Sequence, residues 1–279
     1  MLAKVIAIVN QKGGVGKTTT TINLAAYMGA RKRKTLLIDI DPQGNSTSGL
    51  GINKKDIKVS SYNILVGNVD AKDAVVNTNF KNLDLIPSSL DLSGAEIELV
   101  EMEHRESRLK NAISPLLDKY DYIFIDCPPS LGLLTTNALC FSNSIIVPIQ
   151  CEYYALEGLS QLMNTLRRVK RQYNSNLELE GIVLTMFDGR LNLTQQVVDE
   201  VKKFFPEKVF KTSIPRSVRL SEAPSFGKPI LYFDKHSKGA LAYKKVAKEI
   251  DEKNFTERKK VYGFKNEWFG KRIGRHFSG

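Results

Sequence analysis

A chain of 279 residues, 42% hydrophobic and 25% charged, can bury a sizeable core and has the composition of a globular protein, which excludes a disordered one. Its formal net charge of +11, with a pI near 9.4, favours an anionic partner such as nucleic acid or an anionic membrane surface without naming it. No apolar run approaches the ~20 residues of a membrane-spanning helix. The cysteines Cys127, Cys140 and Cys151 form neither an even disulfide framework nor a Cys-x-x-Cys pair, so they read as small buried hydrophobes.

In chain order, short β-branched runs alternate with helical stretches. Strands are expected at residues 5–9, 35–38, 83–86, 122–125, 144–149, 181–186 and 209–210. The first run lacks a small-residue cleavage site and leads straight into a glycine-rich segment, so it reads as a buried strand rather than a signal peptide, which makes the cytoplasm the default location. Helices are expected at 18–29, 105–118, 131–139, 156–173, 195–205 and 240–250, and residues 45–61, rich in Gly, Ser and Lys, as a mobile loop. This alternation predicts an α/β fold with a mostly parallel twisted sheet flanked by helices on both faces. Residues 1–250 read as one domain. Residues 251–279, with eight Lys/Arg against four Asp/Glu and six aromatics between Phe255 and Phe277, read as a basic appendage.

Between the first strand and the first helix lies Lys12-Gly13-Gly14-Val15-Gly16-Lys17-Thr18-Thr19. Glycines there let successive N–H groups turn inward around phosphate oxygens, and the helix that follows presents its positive end. In such a loop Lys17 reaches the β- and γ-phosphates and the Thr18 hydroxyl is placed to ligate Mg²⁺. The position five before Gly16, ordinarily glycine, is Gln11, and a second lysine, Lys12, stands beside it. That form resembles the deviant Walker A subclass, whose members insert this lysine into a partner subunit's phosphates.

Two further strands end in carboxylates. Asp39 and Asp41 precede Pro42-Gln43-Gly44-Asn45, and Asp126 precedes Cys127-Pro128-Pro129-Ser130. A strand-end Asp beside a phosphate loop faces the crevice where ligands bind in open α/β sheets. Asp126 fits the Walker B acid, holding the Mg²⁺ shell through water; Asp41 fits a residue orienting the attacking water; Asp39 fits a support for loop and metal shell. With the loop, these segments, residues 150–158 and Ile214-Pro215-Arg216-Ser217-Val218-Arg219-Leu220-Ser221-Glu222-Ala223-Pro224-Ser225 resemble ParA/Soj-type chromosome and plasmid partition ATPases over residues 1–250.

The resemblance implies further roles. Met186 and Pro215 would sit against adenine, Glu152 would contact nucleotide across a dimer, and Arg190 and Arg219 would bind DNA without sequence preference. It implies a Mg²⁺-dependent ATPase that dimerises on ATP, binds double-stranded DNA at the nucleoid and is reset by a ParB-like centromere-binding partner. A MinD-like membrane ATPase is the alternative. The aromatic and basic tail could form an interfacial helix, but Gly263, Gly270 and Gly274 oppose one. A nitrogenase-reductase-like cluster protein and a biosynthetic ligase share the loop too. The first lacks a second matching cysteine here, and the second predicts turnover without DNA. His104, His236 and His276 are scattered and suggest no metal site.

Overall fold

The computed structural model describes residues 2–67, 69–152 and 155–273, with Ala155 and residues 257–273 as backbone alone. Seven strands, β1 (Lys4–Ile8), β2 (Thr35–Asp39), β3 (Val76–Asn77), β4 (Leu83–Ile86), β5 (Tyr122–Asp126), β6 (Ser144–Gln150) and β7 (Glu178–Thr185), form one sheet in the order β3-β4-β2-β5-β1-β6-β7. Every pairing is parallel except the two-residue edge strand β3. The helices are α1 (Lys17–Ala30), α2 (Asn45–Gly49), α3 (Ser61–Leu65), α4 (Leu92–Val100), α5 (Arg108–Ile113), α6 (Leu133–Phe141), α7 (Ala155–Gln172), α8 (Asn192–Phe204), α9 (Val218–Glu222), α10 (Ile230–Phe233) and α11 (Lys238–Ile273).

The period-2 alternation of strand side chains divides the interior. Val5, Ala7 and Val9 face one core with residues of α4 to α8, whereas Ile6 and Ile8 face a second core with α1, α10 and α11. The central strands are apolar on both faces because helices cover both. Parallel pairing also aligns the strand ends: Ile8 and Asp39 both stand opposite Asp126, which brings the loop after β1 and two carboxylates to one edge.

Three expectations are corrected. Residues 45–61 are not a loop throughout: α2 and a 3₁₀ turn at Lys54–Asp56 occupy much of the stretch, and Ser46, Thr47 and Leu50 are buried. The Ser46 and Thr47 hydroxyls satisfy buried carboxylates, a use that composition hides. The helix expected at 105–118 starts at Arg108, and Pro115 converts its end into a 3₁₀ turn at Ser114–Leu116. The strand expected at 209–210 is reduced to one bridge, Val209 to Ile182, beside a register irregularity between β6 and β7 that turns this edge of the sheet.

Helix α11 runs on past the expected end at residue 250. Tyr243, Val246, Ala247 and Ile250 pack inward at helical spacing, and the buried Asp251 and Asn254 continue that stripe with polar groups. Asp251 accepts hydrogen bonds from Arg31 (2.9 Å), Arg33 (2.9 Å) and the Tyr122 hydroxyl (3.2 Å), and Asn254 bonds to the buried Glu180, which Lys4 and Lys253 also neutralise. Burial pushes the Asp251 carboxyl upward, but the Arg33 and Arg31 hydrogen bonds outweigh it and hold the group below its usual value. Asp251→Ala should therefore cost about 2–3 kcal/mol in urea unfolding, because two arginines lose a buried acceptor while staying partly solvated. A depressed carboxyl stabilises above its unfolded pKa, so this contribution should persist at neutral pH and fade as pH drops through the folded value. Equal unfolding of wild type and variant at neutral pH would refute it. The side chains of the predicted basic, aromatic extension from residue 257, and all of residues 274–279 with His276, lie outside the described residues.

Candidate functional site: a phosphate loop ringed by carboxylates

The loop after β1 is pinned before it reaches any ligand. Asn10 Nδ2 donates to Pro148 O (2.7 Å), and Asn10 Oδ1 accepts from Lys12 N (3.0 Å). On the other side the Thr185 hydroxyl donates to Val15 O (2.8 Å). Gly14 (φ 76°) and Gly16 (φ 87°) adopt the left-handed conformation, and the space a Cβ would fill at Gly13 and Gly14 is open. A free, glycine-lined concavity at the N-terminus of the fourteen-residue α1 fits a chain of phosphates.

The two lysines have different environments. Lys17 is buried at 7% exposure, and its Nζ donates across the loop to Lys12 O (3.0 Å). Burial lowers its pKa, opposed by the charges of Asp126, Cys127 and Asp41. Lys12 points out of the loop, its side chain 38% exposed, and forms an ion pair with Glu152, whose other oxygen accepts from Gln150. Lys12 and Glu152 are thus brought together within one chain.

The carboxylates form a connected set. Asp126 accepts from Thr21 Oγ1 (3.1 Å), Ser46 Oγ (2.8 Å) and the Thr18 side chain. Asp39 Oδ2 accepts both N and Oγ1 of Thr47 (2.8 Å each), and its Oδ1 accepts Asp41 N (3.2 Å). Asp41 Oδ1 accepts Gln43 N (2.9 Å), and its carbonyl accepts the Ser88 hydroxyl (2.6 Å). Asp39 is raised above the carboxylate range by burial and then by the Asp126 charge. Asp126 is raised by burial against the hydrogen bonds from Ser46 and Thr18. Burial and mutual repulsion disfavour ionising both acids beside one lysine, a cost that a divalent cation would relieve. The donor set, one threonine hydroxyl and carboxylates already bound to hydroxyls, suits a cation that keeps much of its water. Burial pushes the Cys127 thiol up next to Asp126, so it is packing rather than chemistry.

Beyond Thr19 a cleft of about 500 Å³ opens, lined among others by Thr185, Met186, Ile214, Pro215 and Tyr243. The segment reaching Pro215 tracks along the edge of β7 through Ile214 N to Leu184 O (2.8 Å) and Phe187 N to Ile214 O (2.9 Å). Met186 holds φ at 49°, a rare conformation for a non-glycine residue. The two residues expected at adenine thus line one apolar cleft adjoining the loop, the shape a nucleobase needs.

Arg190 and Arg219 lie on this rim of the molecule but outside the cleft. Arg190 pairs with Asp188 (2.6 Å), a carboxyl that Arg190 holds at about 2. Arg219 pairs with Glu222 (3.1 Å) and Asp234 (3.3 Å) and lies over the Phe233 ring. Both side chains are largely exposed, at 88% and 55%. Sequence reasoning missed Asn10, Thr21, Ser46, Thr47, Ser88 and Thr185, which position the named residues. Their one local sign was the hydroxyl run Ser46-Thr47-Ser48 directly after Gly44-Asn45.

Comparison with known proteins agrees with this geometry. A family model described as AAA domain matches residues 3–179. The chain is 58% identical over 249 residues to the sporulation initiation inhibitor protein Soj of Bacillus subtilis, covering 89% of this chain and 98% of that one. It is 52% identical over 249 residues to the chromosome partitioning protein ParA of Myxococcus xanthus, covering 89% and 88%. Among solved structures, a cobyrinic acid a,c-diamide synthase from Mycobacterium smegmatis with bound ADP and magnesium superposes with a TM-score of 0.78 at 36% identity, covering 88% of this chain and 93% of that one.

Proposed function

The chain belongs to the Soj/ParA family of chromosome-partitioning P-loop ATPases, and on that premise we propose that it hydrolyses ATP as a sandwich dimer that grips DNA. The observation that carries this reading is the division of labour between the two lysines. Lys17 is sunk in its own loop, whereas Lys12 projects from it, its charge spent on Glu152 rather than on the cradle. A lysine placed there serves a neighbouring subunit better than its own.

ATP binds with its phosphates on residues 13–19 and its base in the cleft of Met186 and Pro215. Mg²⁺, held by Thr18 directly and by Asp126, Asp41 and Asp39 through water, would neutralise charge on the terminal phosphates. Asp41 orients the attacking water, and Asp39, whose oxygens are taken up by Thr47 and Asp41, holds the loop around it. Lys12 leaves Glu152 to complete the partner's site, and Glu152 is then free to meet the partner's nucleotide.

DNA binding falls to Arg190 and Arg219. Contacts with phosphates need charge rather than base-reading geometry, and dimerisation doubles them. The intrachain carboxylates at both arginines must give way to phosphate, a competition that keeps the single subunit's grip weak. A ParB-like partner then stimulates hydrolysis, which returns the protein to monomers. This places the protein in the cytoplasm at the nucleoid.

Arg219→Glu should keep ATP affinity within about twofold while lowering DNA affinity at least ~10-fold at physiological salt, with a shallower salt slope. Filter binding across a salt series, alongside nucleotide titration, checks this. DNA retention equal to wild type would remove Arg219 from the interface.

A further inference from the structure

We propose that Gly51 and Gly227 form a backbone joint through which the phosphate end of the nucleotide site positions the Arg219 segment. The inference rests on the nucleotide and DNA reading above. Helix α2 is held at its start by the same carboxylates that ring the site: Ser46 by Asp126, and Thr47 by Asp39. Five residues later the chain reaches Gly51 (φ 77°), whose N–H bonds Ser48 O (2.9 Å). Helix α9, which carries Arg219, runs into a 3₁₀ turn at Ala223–Phe226 that Gly227 (φ 61°) closes through bonds to Pro224 O (3.0 Å) and, from Lys228 N, to Ala223 O (3.2 Å).

These two left-handed glycines touch main chain to main chain. A Cβ on Gly227 would stand 2.7 Å from Gly51 Cα and 3.1 Å from its nitrogen, and a Cβ on Gly51 would stand 3.1 Å from Gly227 O. Neither neighbour is a flexible side chain that could swing aside. Gly49 adds a second seat, its absent Cβ leaving room for Ile22 Cδ1 (2.5 Å) on α1 and approaching Pro224 Cβ (4.0 Å). From the carboxylates the main chain thus reaches the 3₁₀ turn after α9 through one short helix and one backbone contact, a route separate from the base cleft, which Val218, Leu220, Ser221 and Pro224 line directly. Packed main chain transmits displacement with little loss, because close-packed interiors are barely compressible. A phosphate end that moves α2 must move the Arg219 segment with it. The two glycines are positioning residues; they touch neither nucleotide nor DNA.

The test is hydrogen exchange on the full chain with ATP, ADP and no nucleotide, combined with DNA titration. Val218, Leu220, Ser221 and Pro224 line the base cleft, which ATP and ADP fill alike, so the joint is read in the difference between the two: in wild type, exchange with ATP should differ from that with ADP in residues 45–52 and 218–228 together. In Gly227→Ala, the ATP–ADP difference should persist in residues 45–52 and ATP affinity stay within about twofold, while the difference in 218–228 vanishes. The ATP-driven gain in DNA affinity, about 5-fold or more between coupled sites, should then shrink to about onefold. Gly51→Ala strains a left-handed φ but displaces Gly227 O by only tenths of an ångström, so it should lose part of the coupling and keeps the test open if Gly227→Ala does not fold. Wild-type coupling retained in both variants, no ATP–ADP difference in 218–228 of wild type, or uniform loosening of every segment would each overturn the joint. Coupled exchange without any DNA binding would leave the joint standing and sink the DNA reading instead.

Discussion

Lys12→Ala should bind ATP nearly as well as wild type yet turn it over about 10³-fold more slowly, and it should stay monomeric with ATP. A cation supplied from a partner to a transferring phosphoryl group is worth about this much where it has been removed from other phosphoryl-transfer enzymes. ATP affinity survives because the intrachain cradle does not use Lys12: Lys17 is the lysine buried in the loop, and the glycines and α1 supply the N–H groups. Light scattering separates monomer from dimer, and phosphate release reports turnover. Mixing experiments sharpen the test. In a mixed dimer of Lys12→Ala and Asp41→Ala subunits, the Lys12→Ala subunit keeps its own Asp41 and receives the partner's lysine, so one of the two sites is complete and activity returns. Recovery on mixing requires action in trans. Unchanged turnover and dimerisation in Lys12→Ala alone would remove the lysine from the mechanism.

The second large effect belongs to Asp41. Its Oδ1 is held by Gln43 N and its carbonyl by Ser88 and Gly44 N, so its position depends on main chain rather than on solvent. The other carboxylate oxygen makes no hydrogen bond among the described residues and is free for a water. Loss of a positioned general base costs about 10²–10⁴ in rate. Asp41→Ala should therefore bind ATP within a few fold of wild type, hydrolyse it about 10²–10⁴ more slowly, and accumulate on DNA because the release step is hydrolysis. Single-turnover hydrolysis and DNA retention after ATP chase measure the two consequences. Fast hydrolysis in this variant would pass the role to another group. Asp126→Ala should differ by weakening Mg²⁺-dependent binding itself, since it also strips partners from Thr21 and Ser46.

Much of the site was legible because its chemistry is local in sequence. A glycine loop needs contiguous residues, and strand-end carboxylates announce themselves by following short apolar runs. The strands at 35–38, 83–86, 122–125 and 144–149 fall within a residue of those observed for the same reason: continuous β-branched runs have one good solution when helices cover both faces. Helix α4 and the ordering of residues 45–61 were missed. Leu92, Ala95 and Leu99 lie in a short helix that opens on Ser93 and Gly94, poor helix formers, and the hydroxyls of Ser46 and Thr47 look like loop residues until Asp126 and Asp39 are seen to accept from them.

The sequence by itself determined the phosphate loop with its two lysines, the order of strands and helices, and the residue types at the strand ends. Contacts across long separations were decided only by the tertiary structure. Parallel register sets Asp39 against Asp126, burial sends Lys17 inward and leaves Lys12 on Glu152, and two distant glycines meet as bare main chain. The physical reason is that chain-local patterns specify backbone conformation and which face is apolar. Charge pairing and close backbone approach depend instead on which elements the sheet order brings side by side.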